Sequence, residues 1–405
     1  MGLNLTSMSE IVKTSLAIMG FCTLVFQQSS HAESRVDFSG FSRVVGGVLD
    51  DKNAKYEGYD NQLSFGQKSL LAVQIDGHIT DSWSLTTQVL AHSSDDRQSG
   101  LEWLYTTYQA SDSWQFKLGR LRTPFFNYSD FLDVGYAYPW ISPPQQIYNG
   151  FLFDSYDGLS ASYDLVTSSF SANAEVFWGE YNDDITIGDS TVKADVNQFR
   201  GIVLNVQYDN FKLRMSGHKG KVGVELAEIT GFASALNQAG YPRMADYLET
   251  AGDVKVHQIS LNYDALDYFV KSEFVQVVSP ILVFPDVNSY YLSAGYINYP
   301  FTLHATYASS RVSYHEVESV IPAGLDPQLD ALSNGFTALY DGLDRDNLDS
   351  LTLGVRWDFR PGMALKADVS HLMGTKDQGS FFTIIHPDTF DYKANLLQVA
   401  WEWVF

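Results

Sequence analysis

Asp130 and Asp133 are the only carboxylates of the segment 122–156 before Asp154, and the bases that lead into it are Lys117, Arg120 and Arg122. Further bases, Arg43, Lys212, Arg214, Arg356 and Lys366, fall on the polar positions of alternating segments, as do Asp76, Glu102, Asp164, Glu175, Asp368 and Glu402. Acids facing bases across a narrow passage with low-dielectric walls make a transverse field that orients dipolar solutes. The expected arrangement sets Asp130 and Asp133 against Arg43, Lys117, Arg120 or Arg122, with Lys212, Arg214, Arg356 and Lys366 on the same wall. The alternative is that these bases tie the segment to its surroundings by ion pairs. Bond-making chemistry has little to work with. His78, His92, His218, His257, His304, His315, His371 and His386 are scattered, with no His-x-x-x-His or Gly-x-Ser-x-Gly element. No catalytic residue, cofactor or metal site is expected.

The same segment carries Phe125, Phe126, Tyr128, Phe131, Tyr136, Tyr138 and Trp140. These rings suit a stacking surface for sugars or aromatic solutes. They equally suit anchoring, each burying a large apolar area to pin an irregular segment. Pro124, Pro139, Pro143 and Pro144 stiffen it.

The elements that position these residues follow from composition and period. The 405-residue chain is 45% hydrophobic and 18% charged, with a net charge of −22. That balance speaks against a nucleic-acid partner, which needs a basic footprint. The longest apolar run, Ser15 to Phe26, is too short for a membrane helix. With Lys13 before it and Ser30-His31-Ala32 after it, the run reads as a signal peptide over 1–32, cleaved near Ala32. The single cysteine, Cys22, lies inside it.

Beyond Ala32 the period is 2, as in Trp114-Gln115-Phe116-Lys117-Leu118 and Phe211-Lys212-Leu213-Arg214-Met215. Sixteen such segments are expected, at 36–49, 63–79, 83–92, 101–109, 114–121, 157–165, 169–179, 197–208, 211–219, 254–263, 268–279, 288–298, 301–311, 347–358, 363–373 and 392–405. Tight turns such as Asp209-Asn210 and Arg360-Pro361-Gly362 alternate with long loops at 50–62, 93–100, 122–156, 180–196, 220–253, 280–287, 312–346 and 374–391. Each segment has one oily and one wet face, and no long helix covers the oily one. The fold class is therefore all-β: a 16-stranded antiparallel transmembrane β-barrel over 33–405. Within the fifth loop, Leu226, Ile229, Ala233 and Leu236 predict a short helix, and 242–249 a further turn. The long loops hold 30 acids and 9 bases, so one mouth of the barrel is negative and favours cations.

At the C-terminus Phe405, Trp403 and Trp401 share one parity. This resembles the assembly signal of bacterial outer-membrane proteins. The strand count, the long third loop and Gly119-Arg120-Leu121-Arg122-Thr123-Pro124-Phe125 together resemble the general porins of Gram-negative bacteria. Those porins often carry a Glu-Phe-Gly-Gly type segment where this chain has Phe125-Phe126-Asn127-Tyr128. The resemblance implies a third loop, 122–156, folded into the barrel as a constriction. It also implies a homotrimer in the outer membrane, amid lipid and lipopolysaccharide, passing small hydrophilic solutes and ions by diffusion. Other readings are a selective channel for a sugar or organic acid, and a plugged structural or adhesion barrel.

Overall fold

The computed structural model describes residues 35–405, except 95, 96, 98, 149–152, 188, 189, 282, 283, 316, 323, 325 and 344. The expected signal peptide lies outside the described residues. The strands are β1 (Arg35–Leu49), β2 (Ala54–Tyr56), β3 (Leu70–His78), β4 (Trp83–His92), β5 (Gly100–Gln109), β6 (Trp114–Arg122), β7 (Ser155–Val166), β8 (Ser171–Ile187), β9 (Ser190–Tyr208), β10 (Phe211–Val224), β11 (Ala251–Asp264), β12 (Tyr268–Val278), β13 (Asp286–Asn298), β14 (Phe301–Ser313), β15 (Leu348–Arg360), β16 (Met363–Gly374), β17 (Phe382–Ile384) and β18 (Lys393–Val404). Sixteen of them close an antiparallel barrel, each beside its chain neighbour, with β1 meeting β18. The other two, β2 and β17, pair with each other in the loops at the mouth.

Period 2 decides which side chains meet lipid. Along β18, Leu397, Val399, Trp401 and Trp403 are exposed, while Leu396, Gln398, Ala400 and Glu402 between them are buried. The seam register sets Val44 against Trp401 outside and Arg43 against Glu402 inside. Aromatic pairs stack on the outside near the short turns, as Trp83 on Tyr108 with ring centroids 4.6 Å apart. Amphipathic rings of this kind suit the boundary between lipid and water. Phe405 and Gly40 exchange both backbone hydrogen bonds, so the chain end joins the ladder at the seam.

The expected loop at 180–196 is instead the tip of a long hairpin. β8 and β9 have 17 and 19 residues and stay paired from Ser171↔Gln207 to Ile187↔Ser190, with one irregularity at Gly179/Tyr181. The run Ile185, Thr186, Ile187, Thr191 and Val192 is rich in β-branched residues, which favour a pleated strand even outside a membrane. The fifth-loop helix forms as Ala227–Gln238, followed by the short helix Pro242–Asp246. A helix in the seventh loop, Pro327–Asp341, was not foreseen, although Asp326-Pro327 is a start signal. Asp326 caps it by accepting from Gln328 N at 2.6 Å, with Pro327 in the first turn. Leu236, Met244, Leu248, Ile321 and Phe336 form a common apolar core, so these two loops brace each other.

Gly119 is held at φ +136°, and a Cβ there would fall 2.3 Å from Leu104 O. Only glycine meets both demands. Gly119→Ala should therefore lower the yield of folded barrel, read as the heat-shifted fraction on denaturing gels. An unchanged yield would show that the β5–β6 ladder gives way easily.

Candidate pore constriction

The connection from β6 to β7, residues 123–154, is bound to side chains of the inward parity. Its rings make one core with the wall: Phe125, Phe126, Tyr128, Tyr138, Trp140 and Phe153 are buried together with Phe177, Phe199, Val203 and Tyr291. Phe125 meets Phe199 edge-on at 5.6 Å, and Trp140 meets Tyr291 at 5.7 Å. Phe131 is half-buried against this core, and Tyr136 lies outside it. Tyr136 is half-buried too, and its ring covers the Arg356 guanidinium at 4.5 Å. The ring set thus lies where anchoring needs it, with most ring surface already used.

The expected wall bases hold this connection by its backbone. Lys366 Nζ donates to the carbonyl oxygens of Gly135, Tyr138 and Trp140 at 2.7, 2.8 and 2.7 Å and pairs with Glu402 at 2.6 Å. Arg356 donates to Tyr136 O and Tyr138 O, and Arg214 to Pro124 O at 2.6 Å and Gln258 Oε1 at 2.7 Å. Arg43 donates to Lys68 O and Ile141 O. Wall acids take the other half of the backbone: Glu273 accepts from Asn127 N at 2.9 Å and Asp368 from Ile141 N at 2.8 Å. An irregular segment inside a barrel has no ladder for its backbone groups, and buried groups left unpaired are costly. The polar wall supplies those partners.

The two loop carboxylates part company. Asp133 is buried and makes a two-pronged pair with Arg97, at 2.6 and 3.0 Å, with Arg122 at 3.5 Å. Glu102 joins them, 3.0 Å from Arg97 and 3.4 Å from Arg122. Burial alone would raise the Asp133 carboxyl, but Arg97 and Arg122 outweigh it and hold it well below the usual carboxylate range. Asp130 is exposed, and it shares electrostatic reach of Glu175 with Lys117. Lys117 itself lies over the Tyr105 ring at 5.4 Å.

Two expected positions need correction. Arg120 points outward and pairs with the exposed Asp157 at 3.2 Å, because strand parity at Leu104↔Arg120 carries it to the lipid side. Lys212 points inward but sits near a short turn and pairs with Asp264 at 3.4 Å rather than with Asp130 or Asp133. Arg43 donates to the carbonyl oxygens of Lys68 and Ile141 and also lies within electrostatic reach of Asp133. At the chain end, Trp401, Trp403 and Phe405 are exposed and face outward. Sequence reasoning missed Arg97, Tyr148 and Glu273. Tyr148 Oη donates to Glu273 Oε2 and joins the last turn of the connection to β12. The wet parity of β12 marked Glu273, whereas nothing in the sequence marked Arg97.

Inward side chains of β10–β16, β18 and β1 are largely buried, beneath the third connection or, as at Leu348, Leu372 and Leu396, beneath the first and eighth loops, whereas Asp76, Tyr105, Lys117, Ser162, Asp164 and Glu175 on β3–β8 keep partial exposure. A cavity of about 220 Å³ opens beside Asn127, between Asp164, Asn173, Asn205, Lys212 and Arg214. Among the described residues no group of three or more His, Cys, Asp or Glu is placed to hold a metal. The arrangement can therefore narrow a polar passage and bias its charge.

Solved structures share this architecture. The anion-selective porin of Comamonas acidovorans matches at TM-score 0.56 with 13% identity, covering 92% of this chain and 100% of that one. OmpF of Salmonella typhi, in complex with daunomycin, matches at 0.53 with 10% identity, over 92% and 98%. OmpT of Vibrio cholerae, an outer membrane protein in a trimer form, matches at 0.52 with 14% identity, over 92% and 100%. No protein-family model and no curated protein matches the sequence. The chain has the fold of the 16-stranded porins: a closed, antiparallel, transmembrane barrel.

Proposed function

We propose that the protein is an outer-membrane channel through which small hydrophilic solutes and ions diffuse down their own gradients, with a weak preference for cations. The observation that carries this reading is the third connection, fixed against the inner wall by Lys366, Arg356, Arg214 and Arg43, while Asp76, Tyr105, Lys117, Ser162, Asp164 and Glu175 on β3–β8 keep partial exposure. A segment so held narrows the lumen without depending on a moving part. No step of such passage makes or breaks a bond, and the reading assigns no catalysis.

The cation preference is supported by two features. The long loops carry 30 acids against 9 bases. Within the lumen Arg43, Arg214 and Arg356 are engaged by carbonyls, while Asp130 stays exposed. Field focusing in a narrow pore lets few charges set the sign. A homotrimer is supported by the trimer form of the Vibrio cholerae neighbour. Amid outer-membrane lipid and lipopolysaccharide, the acidic loops suit divalent ions bridging to anionic sugars. Removal of residues 1–32 as a signal peptide belongs to the same reading.

Single-channel current across a planar bilayer under a salt gradient tests the proposal. Three equal conductance steps and a cation-positive reversal potential are expected, and Asp130→Asn should move that potential toward zero. Saturable block by a sugar or organic acid would favour a selective channel. A second reading, a plugged barrel, has a specific observation behind it: the connection engages wall residues from β1 around to β18, and Arg97 bridges its Asp133 to Glu102 on β5. Silence from correctly inserted protein would select it.

A further inference from the structure

On the outer face of the barrel, β9 to β11 carry a row of three cations at one level, flanked by Trp178 on β8. Trp178 pairs with Arg200, Arg200 with Lys219, and Lys219 with Lys255. Like charges directly opposite one another in a ladder destabilise it, so a row of three is an arrangement that folding alone does not favour. The level below, toward the short turns, is apolar or small: Val176, Ile202 and Gly217, then His257. Trp178 and Ile202 are each 55% exposed. The row thus sits where the oily belt ends, on the side of the long loops.

Counter-charges do not account for it. Asp253 pairs with Lys219 at 2.8 Å and lies within electrostatic reach of Lys221 and Lys255. Asp195, one pair further from the belt, accepts from Asn197. Among the described residues no carboxylate lies within ion-pair distance of the exposed Arg200 or Lys255. Elsewhere on the outer face, Arg120 and Arg311 each hold an outward carboxylate, Asp157 and Asp349. Below Arg200, Lys219 and Lys255 a groove of about 490 Å³ opens between Trp178, Ile202 and His257, because Gly217 on the outward parity puts no side chain into it.

We infer that this groove binds a phosphate-bearing lipid of the outer leaflet, with the phosphorylated headgroup on Arg200, Lys219 and Lys255 and an acyl chain along Ile202 and Gly217. Arg and Lys are the residues that recognise phosphate, Arg through its planar fork. The apolar floor beneath fits a chain already in the membrane. A soluble anion would use the cations and leave the floor empty. The site lies outside the lumen, so it stands whether or not the pore conducts.

Native mass spectrometry of the purified protein in detergent tests this with three probes: bis-phosphorylated lipid A, the same lipid with its phosphates removed, and inorganic phosphate. Retention of the phosphorylated lipid is expected, with affinity falling at least about tenfold in Arg200→Gln/Lys255→Gln, which removes two charge-assisted contacts. Gly217→Leu should weaken the lipid by filling the groove, since a Cβ there meets only His257 Nδ1 at 3.8 Å. Both variants should keep the wild-type heat-shift of the lipid-free barrel and the wild-type conductance. Equal binding of the dephosphorylated lipid, or of inorganic phosphate at the same concentration, would overturn the proposal. So would a double variant that binds lipid unchanged, or one whose subunit number changes in lipid-free detergent, which would assign the row to a neighbouring subunit.

Discussion

Lys366→Met should release the second half of the third connection and raise single-channel conductance, with more open-channel noise. One ammonium group, buried with Glu402, serves three carbonyl oxygens of residues 135–140. Methionine fills a similar volume and donates nothing, so three acceptors and a carboxylate lose their shared partner. Breaking one side of a buried pair costs about 3 kcal/mol or more. That should appear as a lower temperature for the heat-shift of the folded barrel. Lys366→Met/Glu402→Gln should regain part of this stability, because the unpaired charge is gone, while the carbonyls stay unserved and conductance stays high. If Lys366→Met keeps wild-type conductance and noise, Arg356 and the ring contacts hold the segment without it.

The second large effect concerns the opposite end of the same segment. Asp133→Asn should loosen the clamp to Arg97 and Arg122 and lower barrel stability by about 2 kcal/mol, the scale of lost hydrogen bonds between charged groups. Its pH dependence has a definite sign. The Asp133 carboxyl lies well below its ordinary value of about 3.9. Its contribution is therefore fully present above that value and is lost only as pH falls through the depressed one. The stability gap between wild type and Asp133→Asn should stay constant from pH 7 to about 4 and narrow only in stronger acid. A gap already closed near pH 5 would mean that the carboxylate is not held by its arginines.

Strand count and facing were legible because both depend on local period. Leu397, Val399, Trp401 and Trp403 must share a side in any extended conformation, whatever else the chain does. The length of the third connection and its rings were legible for the same reason. The hairpin tip at 180–196 was misread because polar composition suggests a loop, while the β-branched run within it supports a strand. The helix Pro327–Asp341 was missed although its cap was in plain view, since its apolar face is covered by the fifth loop rather than by the barrel.

Partner choice was another matter. Parity told which bases face inward, but it could not tell a carbonyl from a carboxylate as the group opposite. That depends on where a segment of irregular backbone lies in space. Lys366 and Glu402 are neighbours only because β16 lies beside β18, and Gly135 reaches them only because the third connection crosses the lumen. Arg97 meets Asp133 across 36 residues of chain, a contact no spacing announces. The sequence by itself determined a closed barrel with a wet interior, since alternation and the need to bury backbone polar groups in lipid leave no other solution. The tertiary structure alone decided that Lys366, Arg356, Arg214 and Arg43 act as clamps on a loop, because carbonyls of an irregular segment inside the barrel have no ladder partners and take these donors.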